Sequence, residues 1–274
     1  PPHTWRAESA PCGWARFGHT CLCTRVHTRA GRRDALLVFG GASHKPYSSL
    51  EGDSLTRVFD LAARSWHMLE ASGAPPRPRY RHSATMIHTG RTSANPDGEA
   101  AMVVWGGYLR QCDEDGATLA TDEVFLLRLR TRCWEAPRTR GVPPAPRGGQ
   151  TITVVGDKIL IFGGGQLMDL RGGHGWQERD LPGISWLDTT NWEYGSSSPA
   201  GAEPGPRGGH TAQLIGYGGA LAILMLGGRY FVEDATTADG VHSTGTHLGR
   251  AEAFLLVLRG RGQEQASGRS SEGG

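Results

Sequence analysis

The chain has 274 residues, 38% apolar and 20% charged, with 41 glycines, 16 prolines and a formal net charge of +2. That length buries a sizeable core, the charge balance lacks the basic stripe of a nucleic-acid binder, and no run reaches the roughly 18 apolar residues a membrane helix needs. So much Gly and Pro without a three-residue period means either disorder or many short strands joined by turns, and apolar runs such as Ala35-Leu36-Leu37-Val38-Phe39 select the strands. Five cysteines (Cys12, Cys21, Cys23, Cys112, Cys133) are an odd, thinly spread set. They read as reduced thiols and point to a cytoplasmic, intracellular protein.

Taken in chain order, the elements repeat. Thr4-Trp5-Arg6-Ala7 opens the chain as an isolated strand fragment. The first repeat then predicts strands at about 19–24, 35–39, 55–61 and 65–69, from period-two or fully apolar patterns bounded by Gly and Pro. Its second strand ends in Leu37-Val38-Phe39-Gly40-Gly41, and the same context returns at Gly106-Gly107, Gly163-Gly164 and Gly227-Gly228, spaced by 66, 57 and 64 residues. Upstream of each pair stands a strand start: Gly18-His19-Thr20, Arg81-His82-Ser83, Gly149-Gln150-Thr151 and Gly209-His210-Thr211. Downstream, Trp66, Trp134 and Trp192 follow their first glycines by 26, 28 and 29 residues. The fourth repeat has no such tryptophan, and Trp5 holds the equivalent place before the first. The second strand of each unit is apolar on both sides, so both faces must be covered by neighbouring sheets. No helical period is present, and the expectation is an all-β fold with under about 10% helix.

A strand ending in Gly-Gly, an aromatic-rich third strand and a Trp shortly after it resemble the kelch repeat of β-propellers. The resemblance covers residues 3 to about 258, with repeat landmarks near 19–69, 82–136, 150–194 and 210–258, residues 3–7 as a candidate latch strand, and 259–274 as a disordered tail. It implies four-stranded blades and a protein–protein interaction module. Three strands in the fourth repeat and one at the start make up one blade. The ring is then either closed with four blades or part of a larger one, and the six or seven blades typical of the family favour the larger.

Up-and-down strand order places the second-to-third-strand loops (42–54, 108–121, 165–183 and 229–250) on one face with the connections between blades. These loops are long enough to suggest function. The connections are rich in Pro, which stiffens them, and in Arg, which is enriched at interface hot spots. The partner-contact candidates are Arg77, Arg79, Arg81, Arg138, Arg140, Trp176 and Tyr230. They predict a protein or peptide partner of acidic character, and no nucleic acid or membrane. Arg147 and Arg207, just before strand starts, read as blade caps that pair with a nearby acid.

Two alternatives come from other classes: a kelch-like enzyme, either galactose-oxidase-like with copper or iron-dependent, and a cytoskeletal cross-linker. The six tyrosines do not group with the cysteines as the copper site requires, and Glu233, Asp239 and His242 are wrongly spaced for the iron site. Cys21-x-Cys23 puts both thiols on one strand face, where packing is the expected role, and His242 and His247 are two loop histidines with no further ligand beside them. The sequence therefore predicts no catalytic set, no metal and no cofactor.

Overall fold

The computed structural model describes residues 15–28, 31–43, 48–49, 55–90, 93, 98–110, 118–169, 176–233, 244–248 and 253–258. Among these the chain is all-β, without a helix. The first blade contains Thr20–Thr28, Gly31–Phe39, Thr56–Asp60 and Ser65–Met68, antiparallel and hydrogen-bonded in that order. The second contains Ser83–Thr89, Glu99–Trp105, Val124–Arg128 and Cys133–Glu135. The third contains Gly148–Val155, Lys158–Asp169, Ile184–Asp188 and Glu193–Ser197. The fourth shows Thr211–Tyr217, Ala220–Leu226 and Ala253–Leu258. The candidate latch at 3–7 and the tail at 259–274 lie outside the described residues.

Among the described residues the doubly apolar second strands form three cores, between the first and second, second and third, and third and fourth blades. Leu37 and Phe39 meet Met102 and Val104, sealed by Trp134. Val103 and Trp105 meet Ile159 and Ile161. Leu160 and Phe162 pack with Ile223 and Met225. Side chains alternate across a strand, so each second strand serves the preceding blade with one set and the following blade with the other. Each fully buried Leu, Ile, Phe or Met contributes about 1.5–3 kcal/mol, which makes these seams the main source of stability.

Three sequence expectations change. The first hairpin is longer than its apolar runs, with pairing from Thr20↔Phe39 out to Thr28↔Gly31. Its polar ends keep the ladder because backbone pairing needs no apolar side chain, and Arg25 adds an exposed 2.8 Å ion pair to Asp34. The long loops contain paired ribbons, including Arg229–Glu233 with Thr244–Leu248, and Lys158–Asp169 runs straight through Gly163-Gly164 to pair with Trp176–Asp180. Gly-Gly bends these chains without ending their pairing. The cysteines Cys21 and Cys23 are exposed rather than packed, because they occupy the face of their strand opposite Leu22, the residue that meets the second blade.

The third repeat's tryptophan is also misplaced. Leu187 pairs with Tyr194, as Phe59 pairs with Trp66 and Leu127 with Trp134. Trp192 instead occupies the left-handed turn position held by Arg64 and Arg132 in the other blades, with φ of 58°, 53° and 51° respectively. The sealing aromatic of this blade is therefore Tyr194, whose buried hydroxyl accepts a 2.9 Å bond from the Trp105 indole N–H. Removing that acceptor with Tyr194→Phe orphans a buried donor and should cost about 1–3 kcal/mol, read as a lower denaturation midpoint at constant slope.

Candidate partner-binding site

The face carrying the between-blade connections is built on one repeated arginine. Arg16, Arg79, Arg147 and Arg207 each stand three residues before a strand start (His19, His82, Gln150, His210). Each sends Nη1 to the carbonyl of the first glycine of its own blade: Arg16 to Gly40 at 3.1 Å, Arg79 to Gly106 at 3.1 Å, Arg147 to Gly163 at 3.1 Å and Arg207 to Gly227 at 3.0 Å. Its backbone carbonyl ties the blade before, accepting from the second glycine: Gly41 to Arg79, Gly107 to Arg147 and Gly164 to Arg207, at 2.9, 2.8 and 2.8 Å. One residue thus binds two blades.

Arg79 is consequently not a partner contact. Its side chain is fully buried, with Nε on Arg77 O at 3.0 Å and Nη2 on Glu123 Oε2 at 2.7 Å. Burial lowers its pKa and the Glu123 bond raises it, with a net lowering. Arg147 and Arg207 do cap their blades, with Nε of each bonded to the carbonyl two residues back. Among the described residues no acid pairs with Arg147, and burial pulls its pKa down to about 10.

The histidine or glutamine that follows is keyed into the previous blade. His82 Nε2 shares a 2.9 Å hydrogen bond with Thr20 Oγ1, and its ring meets Phe39 edge-on at 5.1 Å. His210 repeats this with Thr151 at 2.8 Å and Phe162 at 5.2 Å. Gln150 holds the post between them by donating to Trp105 O at 3.0 Å. A side chain on Gly40 would place its Cβ 2.6 Å from the His82 ring, which is why this glycine has none. Burial first, then the neighbouring arginine, pushes His82 down to about 3 and His210 to about 4.

One step closer to the centre, the strand starts form a rim of left-handed residues: Gly18, Arg81, Gly149 and Gly209, with φ of 63°, 52°, 73° and 68°. They chain together by backbone bonds, Arg81 N to Gly18 O, Gly149 N to Arg81 O and Gly209 N to Gly149 O, at 2.7, 2.8 and 2.9 Å. The rim surrounds a cavity of about 510 Å³ lined by Arg81, Arg229, the two keyed histidines and bare glycine backbone. Arg81 is the sole non-glycine at this position, where an L-residue costs about 1 kcal/mol relative to glycine. Burial lowers the Arg229 pKa, and the charge of Arg81 lowers it further, so the two cations share one field. Tyr108 stands beside them, fully buried, donating to Gly165 O at 2.9 Å.

Arg77, Arg138 and Arg140 do not line this cavity. Arg77 is exposed and bonds Glu123 Oε1 at 3.0 Å. Arg138 and Arg140 are exposed on the connection between the second and third blades. The backbones of Trp176 and Tyr230 lie in the ribbons above the face, opposite Asp169 and His247, and their side chains lie outside what the structure describes. Reasoning from sequence missed Arg229, which follows Gly228 where the other repeats have Ala42, Tyr108 and Gly165, so no repeated signal marks it.

For the enzyme alternatives, among the described residues no three His, Cys, Asp or Glu side chains converge as metal ligands. The hydroxyls of Tyr108 and Tyr194 are bonded within the blades. The stretch from 234 to 243 lies outside the described residues.

A family described as the KLHDC2/KLHL20/DRC7 Kelch-repeats domain matches residues 18–246. Acyl-CoA-binding domain-containing protein 4 of Arabidopsis thaliana is 29% identical over 69% of this chain and 24% of its own length. Host cell factor 2 of Homo sapiens is 33% identical over 55% of this chain and 19% of its own. The Rab9 effector protein with kelch motifs of Bos taurus is 27% identical over 76% and 47%. The chain thus spans less than half the length of these relatives. A chain in a cryo-EM structure of RAG in complex with one melted and one unmelted RSS shares the fold, with TM-score 0.55, 12% identity and coverage of 92% of this chain and 70% of that one. With that Kelch-repeats family matched over residues 18–246, most of its length, this chain belongs to the kelch-repeat family.

Proposed function

We propose that the protein is an interaction module that seats an acidic segment of a protein partner in the central cavity, between Arg81 and Arg229. The observation carrying this reading is Arg81 itself. It keeps a strained backbone where the three equivalent positions are glycine, and it lines a cavity that a second arginine, Arg229, also lines. Strained backbone persists where function requires it. The left-handed Arg64, Arg132 and Trp192 do not weaken this, because there each of the first three blades places a non-glycine at the same turn. Guanidiniums recognise carboxylates with planar, directional bonds, while the bare glycines let a partner's backbone approach.

Arg81→Gly separates binding from folding. The variant should melt at the same or a higher temperature, since the strain of about 1 kcal/mol is relieved. Its affinity for acidic peptides, measured by anisotropy with glutamate-rich peptides against neutral controls, should fall about tenfold, the equivalent of one lost charge-assisted contact. Equal binding of acidic and neutral peptides, or an unchanged affinity in the variant, would overturn the reading.

A further inference from the structure

The connection between the second and third blades reads Arg140-Gly141-Val142-Pro143-Pro144-Ala145-Pro146-Arg147. Proline fixes φ near −65°, and a residue before proline is pushed to the extended or polyproline II region. Val142, Pro143 and Ala145 all precede prolines, so the segment is held as polyproline II, a helix of three residues per turn. Its burial has that period: Pro144 and Arg147, three apart, are buried, whereas Val142, Pro143 and Ala145 are exposed and Pro146 is half-buried.

The buried edge is anchored. Arg147 bonds Ala145 O and Gly163 O. At the other end the backbone of Arg140 pairs with the third blade, Arg140 N to Trp192 O and Tyr194 N to Arg140 O, both 2.9 Å. Gly141 is obligatory there, because a Cβ would lie 2.6 Å from Tyr194 O. What faces outward is two successive x-Pro pairs, Val142-Pro143 and Ala145-Pro146, preceded by an exposed Arg140 three residues before the first proline. Stiffening alone explains the prolines. It does not explain why Val142 is 85% exposed, more than any other large apolar residue described.

We propose that this connection is a docking ligand for an SH3-type domain, whose aromatic groove takes the two x-Pro pairs and whose acidic loop takes Arg140. Recognition of Pro-x-x-Pro segments works in this way, and a ligand already held as polyproline II loses little entropy on binding. The other connections serve as internal controls. Residues 74–79 show the same burial sequence but have Ser72 where Arg140 stands. Residues 202–207 have Glu203 and Gly205 in place of Pro143 and Ala145. Only one of the three carries the full set. This surface lies outside the central cavity, and its test is separate from that of the cavity.

The test titrates the intact chain into a panel of purified SH3 domains with acidic loops, with WW and EVH1 domains as comparators, by calorimetry. SH3 domains should bind at one site. Arg140→Glu and, independently, Pro143→Ala should each weaken binding about tenfold or more while the melting temperature stays within about a degree, because both side chains are exposed. Pro75→Ala in the twin connection and Arg81→Gly in the cavity should leave the binding unchanged. The proposal is overturned if no SH3 domain binds, if binding survives both substitutions, or if WW or EVH1 domains bind in their place.

Discussion

Arg79→Met should lower the unfolding free energy by about 3 kcal/mol or more, at the upper end of single-residue effects. The substitution keeps much of the apolar stem and removes the guanidinium, so packing loss is not the main cause. Three bonds vanish at once, to Arg77 O, Gly106 O and Glu123 Oε2. Gly106 O is left inside the blade without this donor. Glu123 keeps its bond to Arg77 on the outside. Burial raises the Glu123 pKa, but the bonds to Arg79 and Arg77 outweigh it, so the group rests below the usual range and stability is lost as acid protonates it. Arg79→Lys should rescue little, since an ammonium cannot span the fork. Urea midpoints for Arg79→Met and for exposed Arg77→Met give the comparison. Near-equal midpoints would mean that the buried tie adds nothing.

Acid should weaken the molecule well before its carboxylates titrate. His82 and His210 are neutral in the folded state, pushed to about 3 and about 4, whereas the unfolded chain protonates them near 6.5. With folded pKa values depressed, the unfolded state binds more protons as pH falls below about 6.5, and folding stability declines from there. Well below pH 6.5 each histidine costs about 1.4 kcal/mol per pH unit, and because the unfolded imidazole is half protonated at 6.5 the pair removes about 3 kcal/mol between pH 6.5 and 5. The lowered carboxyl groups of Asp60 and Asp188 act only at lower pH. Gln150 holds the same post without titrating, so the double variant His82→Gln/His210→Gln is a replacement the fold already uses. It should match the parent near pH 7 and exceed it by several kcal/mol at pH 5. His19, also lowered by burial, leaves a small residual slope. Parallel pH profiles for parent and variant would refute the assignment.

What was legible in the chain was whatever the blade seams demand. Val38-Phe39-Gly40-Gly41 and its counterparts are visible because strands covered on both faces admit only apolar side chains, and because a glycine facing a histidine ring admits none. Trp192 was misread because proximity to the strand stood in for register. The turn of the third blade starts later, and two residues separate a sealing ring from a turn residue. Arg79 was misassigned for a related reason. Composition shows arginines beside prolines, but only the distance of three residues to His82 distinguishes the buried tie from its exposed neighbour Arg77. That spacing was present in all four repeats and could have been read. Arg229 could not, because it belongs to a ribbon with no repeated pattern, and only the strand order carries it to the cavity opposite Arg81.

The arginine ties also say where the molecule tolerates foreign sequence. On the tied face, lengthening the chain between a connection and its strand start would displace side chain and carbonyl together and loosen two blades. Among the described residues the hairpin turn joining the first two strands of the fourth repeat carries no such tie. At Gly218 and Gly219, which turn Thr211–Tyr217 into Ala220–Leu226, a Cβ would meet nothing within 4 Å. An epitope or fluorophore-binding loop grafted there would be held by one hairpin alone, leaving the cavity and the proline-rich connection free to work as a reporter-bearing sensor.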